Sequence, residues 1–252
     1  MNPPVKQAVI LVGGRGTRLG ALTEQTPKPM LPVGGRPFLE YLLLRLKQQG
    51  ICEILLCVGY LAPSFQLYFG DGHRLGLHVD YHLEHEPAGT GGPLVLGRHS
   101  LDEQFFVLNG DTVFDIPLQS LARQLSQHPD ALGAIALRTV PDISRYGGVQ
   151  LDGDWISRFA EKGGAGSGLI NGGIYCLRQS AVDWLPAPPC SLEKNLFPLL
   201  TGRRQLLGKS FSGYFIDIGL PETLQQAEAK LPAWLDSRPV DSDSNENCDV
   251  SN

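Results

Sequence analysis

Apolar and polar positions along the chain follow two different periods, and the switches between them mark out its elements. Ala8 to Val12 (AVILV) is a nearly continuous apolar run, as expected of a parallel strand buried on both faces. Phe38, Leu39, Leu42, Leu43 and Leu46 recur at helical spacing and the pattern stops at Gly50, which predicts a helix over Phe38 to Gln49. Ile54 to Val58, Val79 to His82, Phe105 to Leu108 and Gly133 to Leu137 read as further strands, and Leu118 to Gln127 as an amphipathic helix. This β-α-β order implies an α/β, Rossmann-like fold with a mostly parallel central sheet and helices on both faces. The rhythm changes after Tyr146. Val149 to Leu151, the turn Asp152-Gly153-Asp154 and Trp155 to Ser157 form a hairpin pattern. Gly163 to Gly168 (GGAGSG) has too much backbone freedom for a strand or helix and reads as a loop, a candidate lid.

Residues 237–252 differ from the rest. They carry Asp241, Asp243, Glu246 and Asp249 against Arg238 alone, with almost nothing apolar to offset the entropy of ordering. The expected layout is one domain over residues 1–236 and an acidic, disordered tail. That tail holds most of the chain's formal charge of −5, so the body is close to neutral.

Charge and composition remove several functional classes. A mildly acidic chain without a Lys/Arg-rich run is a poor nucleic-acid binder. No apolar stretch approaches the roughly 18 residues of a membrane helix, and the start lacks the layout of a signal peptide. The five cysteines are odd in number and show no CxxC spacing, which favours reduced thiols over a disulfide framework or a zinc site. A cytoplasmic protein with no nucleic-acid or membrane partner is expected. A homo-oligomer is compatible with all of this.

The candidate chemistry begins where the first strand ends. Gly13-Gly14-Arg15-Gly16-Thr17-Arg18-Leu19-Gly20 is a glycine-rich turn whose N–H groups can close around phosphate oxygens. It fails the dinucleotide fingerprint, because Leu19 stands where the third glycine belongs, and it lacks the Gly-Lys-Ser/Thr step of a Walker loop. Arg18 offers a planar fork of donors for phosphate, and Lys28 is held between Pro27 and Pro29, which restrict the local backbone. Alone, each would read as a solvated surface cation. Two acids complete the set. Asp111 ends a buried strand, where open α/β sheets bind ligands, and Asp217 is embedded in the apolar run Tyr214 to Ile218. Either alone would read as a satisfied loop carboxylate; together with a phosphate loop they suit Mg²⁺, which takes one or two carboxylates and fills its shell with phosphate and water. Asp115 reads as a loop acid.

The series GGxGTRL, Thr23, Pro27-Lys28-Pro29-Met30 and Leu31-Pro32-Val33 resembles the nucleotidyltransferases that join a nucleoside triphosphate to a sugar 1-phosphate. The resemblance runs from Lys6 to about Lys230. The segments Gly89-Thr90-Gly91-Gly92, Asn109-Gly110-Asp111-Thr112, Asn171-Gly172-Gly173 and Phe215 to Glu222 match a guanylyl-transferring branch best. It implies Arg18 and Lys28 as catalytic cations and Leu11, Gly13, Gly14, Gly16, Thr17, Glu84, Gly89 and Thr90 as nucleotide-binding residues. It also implies Asn109, Gly147, Glu161, Lys162 and Asn171 at the sugar phosphate and Asp111 and Asp217 on Mg²⁺. The hexapeptide-repeat β-helix that some relatives carry is not expected here. Relatives using uridine or thymidine triphosphate commonly carry Gln at the position of Glu84. A carboxylate only accepts hydrogen bonds; guanine offers the adjacent donors N1–H and N2–H, whereas uracil offers one donor flanked by acceptors. This favours GTP, with Glu86 as the alternative reader. Two other classes stay open: a catalytically silent nucleotide-sugar sensor, which would be expected to have lost one of the four charged residues, and a glycosyltransferase, which would usually show a DxD motif.

Overall fold

The computed structural model describes residues 3–144, 147–159, 166–237 and 248. Strand β1 (Gln7–Leu11) leads into the glycine loop. The short strands β2 (Pro32–Val33) and β3 (Arg36–Pro37) precede helix α1 (Phe38–Gln48), which buries Phe38, Leu39, Leu42, Leu43 and Leu46 as the periodicity predicts. Gly50 ends that helix at φ 72°, a left-handed turn that glycine adopts without strain. Then come β4 (Glu53–Val58), α2 (Ala62–Phe69), β5 (His78–Leu83), α3 (Gly92–Leu96), β6 (Gln104–Asn109) and β7 (Thr112–Phe114). Helix α4 (Leu118–Gln127) has the bounds its amphipathic pattern gives. The remainder is β8 (Gly133–Val140), β9 (Val149–Asp152), β10 (Trp155–Phe159), β11 (Gly168–Arg178), α5 (Phe197–Gly202), β12 (Leu206–Phe211), β13 (Phe215–Asp217) and α6 (Pro221–Asp236).

The chain forms two compact units and passes between them repeatedly. One comprises Lys6–Pro87, Leu108–Asp115 and the chain from Tyr214 onward; the other contains Ala88–Val107 and Ile116–Gly213. In the first, β1, β4 and β5 are parallel, with Leu11 opposite Cys57 and Cys57 opposite His82, so the three strands end side by side. Ala8, Val9, Ile10, Leu56, Cys57 and Val58 are buried, which is why these strands read as unbroken apolar runs. Strands β7 and β13 pair antiparallel beside them in sequence register Thr112 to Asp217.

The second unit departs from the mostly parallel sheet expected. Strand β8 runs parallel to β12 but antiparallel to β11, and β10 is antiparallel to both β12 and β9. Its sheet is mixed because β9 and β10 are joined by a tight turn, which can only return the chain antiparallel. Gly168, expected within a flexible loop, instead opens β11 and pairs with Val140. Residues 163–165 of that loop lie outside the described residues, as does nearly all of the acidic tail.

The cysteines also differ from expectation. Cys52 and Cys248 are joined in a disulfide with their Cα atoms 5.6 Å apart. A pairing across 196 positions leaves no spacing signature in a sequence. Cys57, Cys176 and Cys190 are free and buried. Among the described residues no helix is long and apolar enough to cross a membrane.

Candidate functional site

The carboxyl ends of the parallel strands in the first unit converge on the glycine loop. Val12 donates its N–H to the Cys57 carbonyl at 3.1 Å, extending the ladder one step before the chain turns away. A side chain at Gly13 would run into the Glu84 carboxylate, and one at Gly59 would come within 3.2 Å of the Gly13 carbonyl. Three strand ends therefore approach so closely that two of them carry glycine. Gly16 sits at φ 64°, and a Cβ there would lie 2.9 Å from Lys28 Cβ. The loop then enters a 3₁₀ turn over Thr17–Thr23. Leu19, which breaks the dinucleotide pattern, is its core anchor at 5% exposure. Buried Thr23 places its hydroxyl 3.2 Å from the Gly16 carbonyl and 3.1 Å from that of Gly20, closing the turn on itself. Arg18 is left on the exposed side.

Lys28 is no surface cation. Its side chain is only 7% exposed, with Nζ 2.5 Å from Asp111 Oδ2 and 3.9 Å from Asp217 Oδ1. The two acids, more than a hundred positions apart in sequence, meet because β7 and β13 pair: Asp217 stands opposite Thr112, and the Ile218 N–H donates to the Asp111 carbonyl at 3.0 Å. Burial, and then the neighbouring Asp111 charge, push the Asp217 carboxyl above the ordinary carboxylate range; Lys28, the Gly219 N–H and Arg18 pull the other way. A Cβ on Gly219 would lie 2.7 Å from Asp217 Oδ1 and 3.3 Å from Arg18 Nη1, so Arg18 and Asp217 flank that glycine. Leu11, Gly14, Gly16, Thr17, Arg18, Lys28, Asp111 and Gly219 line one cavity of about 290 Å³. Exposed Arg18, buried Lys28 and the Asp111 carboxylate thus face a space of small-molecule size behind a glycine loop, with Asp217 held against Lys28.

Sequence reasoning missed Gly219, Gly59 and Thr112. The first had a signal in the acid-to-glycine step Asp217-Ile218-Gly219. The other two are meaningful only once the strand ends are seen to approach. Asp115 is not drawn into the site: Arg45 Nε donates to its Oδ1 at 2.8 Å, and both side chains are largely buried. Among the described residues no group of three or more His, Cys, Asp or Glu is arranged to hold a metal ion.

Of the remaining expected residues, Gly89, Thr90, Gly147 and Asn171 fall in the second unit and Asn109 in the first. Gly89 is at φ 77° and has no room for a side chain against the Cys190 carbonyl. Thr90 Oγ1 donates to Glu193 Oε2 at 2.6 Å and accepts the Leu192 N–H at 2.9 Å, so its hydroxyl fastens one loop to another. Asn171 sits where the β11–β8 register shifts; its amide donates to Tyr175 Oη at 3.1 Å and accepts the Gly173 N–H at 2.8 Å. Gly147, at φ 77°, donates its N–H to the Ile143 carbonyl. Asn109 closes β6, two residues before Asp111. Glu161 and Lys162 lie outside the described residues.

Comparison with known proteins finds relatives along nearly the whole chain. The family model described as nucleotidyl transferase matches residues 7–233. The chain is 40% identical over 221 residues to D-glycero-alpha-D-manno-heptose 1-phosphate guanylyltransferase of Campylobacter jejuni, covering 86% of this chain and 96% of the relative. It is 34% identical to mannose-1-phosphate guanyltransferase beta-A of Xenopus laevis, covering 92% of this chain and 69% of the relative. The crystal structure of HddC from Yersinia pseudotuberculosis complexed with GMP-PN superposes with a TM-score of 0.77 at 32% identity, covering 90% of this chain and 99% of that one. The glycine loop, the paired cations and acids, and a match along nearly the whole length lead to one conclusion: the chain belongs to the nucleotidyl transferase family.

Proposed function

We propose that this protein transfers a guanylyl group from GTP to a sugar 1-phosphate, D-glycero-α-D-manno-heptose 1-phosphate first among them, releasing pyrophosphate. The observation that carries this is one cavity faced together by Arg18, Lys28 and Asp111 at the end of the glycine loop, with Asp217 against Lys28. The acceptor needs no general base, since a phosphate monoester is largely dianionic at neutral pH, its second pKa being about 6. Its oxygen attacks the α-phosphorus; the new P–O bond forms as the bond to the bridging oxygen of pyrophosphate breaks. The protein's task is to align two polyanions and neutralise them.

Arg18, exposed beside Gly219, takes the β- and γ-phosphates and the departing pyrophosphate. Lys28, rigidly seated, meets the α-phosphate and the incoming phosphate. The loop N–H groups from Gly13 to Thr17 hold the remaining oxygens. Arg18 and Lys28 only cancel Asp111 and Asp217, so the site has no spare positive charge for a triphosphate and a second phosphate. Two adjacent carboxylates are a fitting donor set for Mg²⁺, and Asp111 and Asp217 would hold it. Bound there, the ion would supply the missing positive charge at the phosphates. Glu84, whose carboxylate lies over Gly13, accepts guanine N1–H and N2–H. The phosphorylated substrates do not cross membranes, which favours a cytoplasmic enzyme.

The test is pyrophosphate release with Mg²⁺ across ATP, GTP, CTP and UTP, each with heptose, mannose, glucose and N-acetylmuramate 1-phosphates. Release confined to GTP with the heptose phosphate supports the full reading. Mannose 1-phosphate is the second acceptor to expect, given the mannose-1-phosphate guanyltransferase at 34% identity. Release with UTP in place of GTP would overturn the role of Glu84. Tight nucleotide-sugar binding without any release would leave the silent sensor.

A further inference from the structure

Asp111 presents two carboxylate oxygens, and the protein engages each differently. Oδ2 meets the Lys28 ammonium. Oδ1 accepts a hydrogen bond from the hydroxyl of Thr112, the next residue, at 3.0 Å. Thr112 is only 5% exposed, opens β7 and stands opposite Asp217 in the β7–β13 register. It therefore lies between both acids in the fold. Valine has the same branched shape, suits a buried strand at least as well, and carries no hydroxyl to desolvate. Shape does not select threonine at this position. A use for the hydroxyl does, and its acceptor is the carboxylate.

We infer that Thr112 is a positioning residue that fixes the Asp111 carboxylate in the orientation needed to hold a divalent cation. The inference rests on the reading of Asp111 given under Proposed function. Without the hydroxyl, the carboxylate can rotate about its last bond and close on Lys28 through either oxygen. The ion pair with Lys28 then competes better against an incoming cation. Hydrogen-bond partners one step behind a metal ligand commonly change metal affinity by about 10- to 100-fold when removed. The lower end is expected here, because Lys28 still constrains one oxygen.

The test uses the full chain with a non-hydrolysable GTP analogue and follows free Mn²⁺ by electron paramagnetic resonance, so that no turnover is needed. Wild type should bind Mn²⁺ and Asp111→Asn should lose it. Thr112→Val should bind about tenfold more weakly, and Thr112→Ser, which keeps the hydroxyl, should stay within about twofold of wild type. In turnover, Thr112→Val should raise the Mg²⁺ activation constant more than it lowers kcat at saturating Mg²⁺. If Thr112→Val binds Mn²⁺ as wild type does, or Thr112→Ser is as weak as valine, the positioning role is wrong while the reading of Asp111 stands. If Asp111→Asn binds like wild type, the reading of Asp111 fails and takes this inference with it. Should the valine variant not fold, Thr112→Ala against Thr112→Ser makes the same comparison.

Discussion

Replacing Lys28 with methionine keeps most of the side-chain length and removes the one buried positive charge that touches both acids. The wild-type ammonium is 2.5 Å from Asp111 and 3.9 Å from Asp217, with its own side chain 7% exposed. Breaking a fully buried pair costs about 3–5 kcal/mol, since the surviving charge is left uncompensated. The two carboxylates here are 29% and 31% exposed and regain some hydration, so about 1–3 kcal/mol is the expected loss. At this chain length that is a fall in Tm of roughly 2–4 °C per kcal/mol.

The loss should depend on pH with a definite sign. The Asp217 carboxyl already lies above its ordinary range, so the folded protein holds that proton more tightly than the unfolded chain does. Its contribution to stability is present at low pH and is lost as the pH rises through the folded value. Removing Lys28 takes away an opposing cation and moves the carboxyl higher still. In chelator, the deficit of Lys28→Met against wild type should be largest near neutrality and shrink as the pH falls and the carboxylates take up protons. Activity carries the second half of the prediction. Loss of a fixed charge at a developing transition state typically lowers kcat by about 10²–10³-fold, read here as pyrophosphate release at saturating substrates and Mg²⁺. Thermal unfolding across the pH series and steady-state kinetics on the same preparation check both. A kcat within about threefold of wild type would refute the phosphate role, and a pH-independent Tm difference would refute the electrostatic account of the triad.

Three further outcomes follow from the same reasoning. Asp115→Ala leaves Arg45 without its buried partner and should cost about 3–5 kcal/mol in denaturant unfolding while kcat per folded molecule is unchanged; a large loss of kcat at full stability would give Asp115 a catalytic role and refute its reading as a structural acid. Glu84→Gln gives the base reader a donor as well as an acceptor, and should shift the kcat/KM ratio of GTP to UTP toward UTP by at least about tenfold; an unchanged ratio would move base recognition elsewhere. Burial raises the Cys176 thiol to about 12 and pushes the Cys57 thiol well above its ordinary value, so neither should react with iodoacetamide near pH 8 in the native protein, and both should react in denaturant.

The sequence by itself determined the local elements and the kinds of groups at the site. Ala8 to Val12 and Ile54 to Val58 read as buried parallel strands because apolar side chains on both faces leave no alternation, and the strands run over Gln7–Leu11 and Glu53–Val58. Phe38 to Gln49 and Leu118 to Gln127 read as helices because each has one apolar stripe at helical spacing, and the structure has them over Phe38–Gln48 and Leu118–Gln127. Helix α6 gives a weak pattern because Pro232 interrupts it and its buried positions are confined to Ala227, Leu231, Trp234 and Leu235. The glycine loop, Arg18, Lys28, Asp111 and Asp217 were all visible as candidates, since phosphate chemistry restricts which residue types can serve.

Tertiary structure decided how those candidates meet. Lys28 between two prolines carries no sign of its burial against Asp111 and Asp217. That placement follows from the pairing of β7 with β13, formed by segments about a hundred positions apart. Asp115 reads as a loop acid, but only the fold shows that Arg45, seventy positions away, is its partner. Thr90 and Asn171 read as ligand groups from the sequence; that their polar atoms also bond within the protein is visible only in the fold. Residue type and period are local properties that a sequence states directly. Which carboxylate faces a cavity and which is tied to an arginine is set by long-range packing, where a hydrogen bond or ion pair depends on ångström distances that no spacing along the chain encodes.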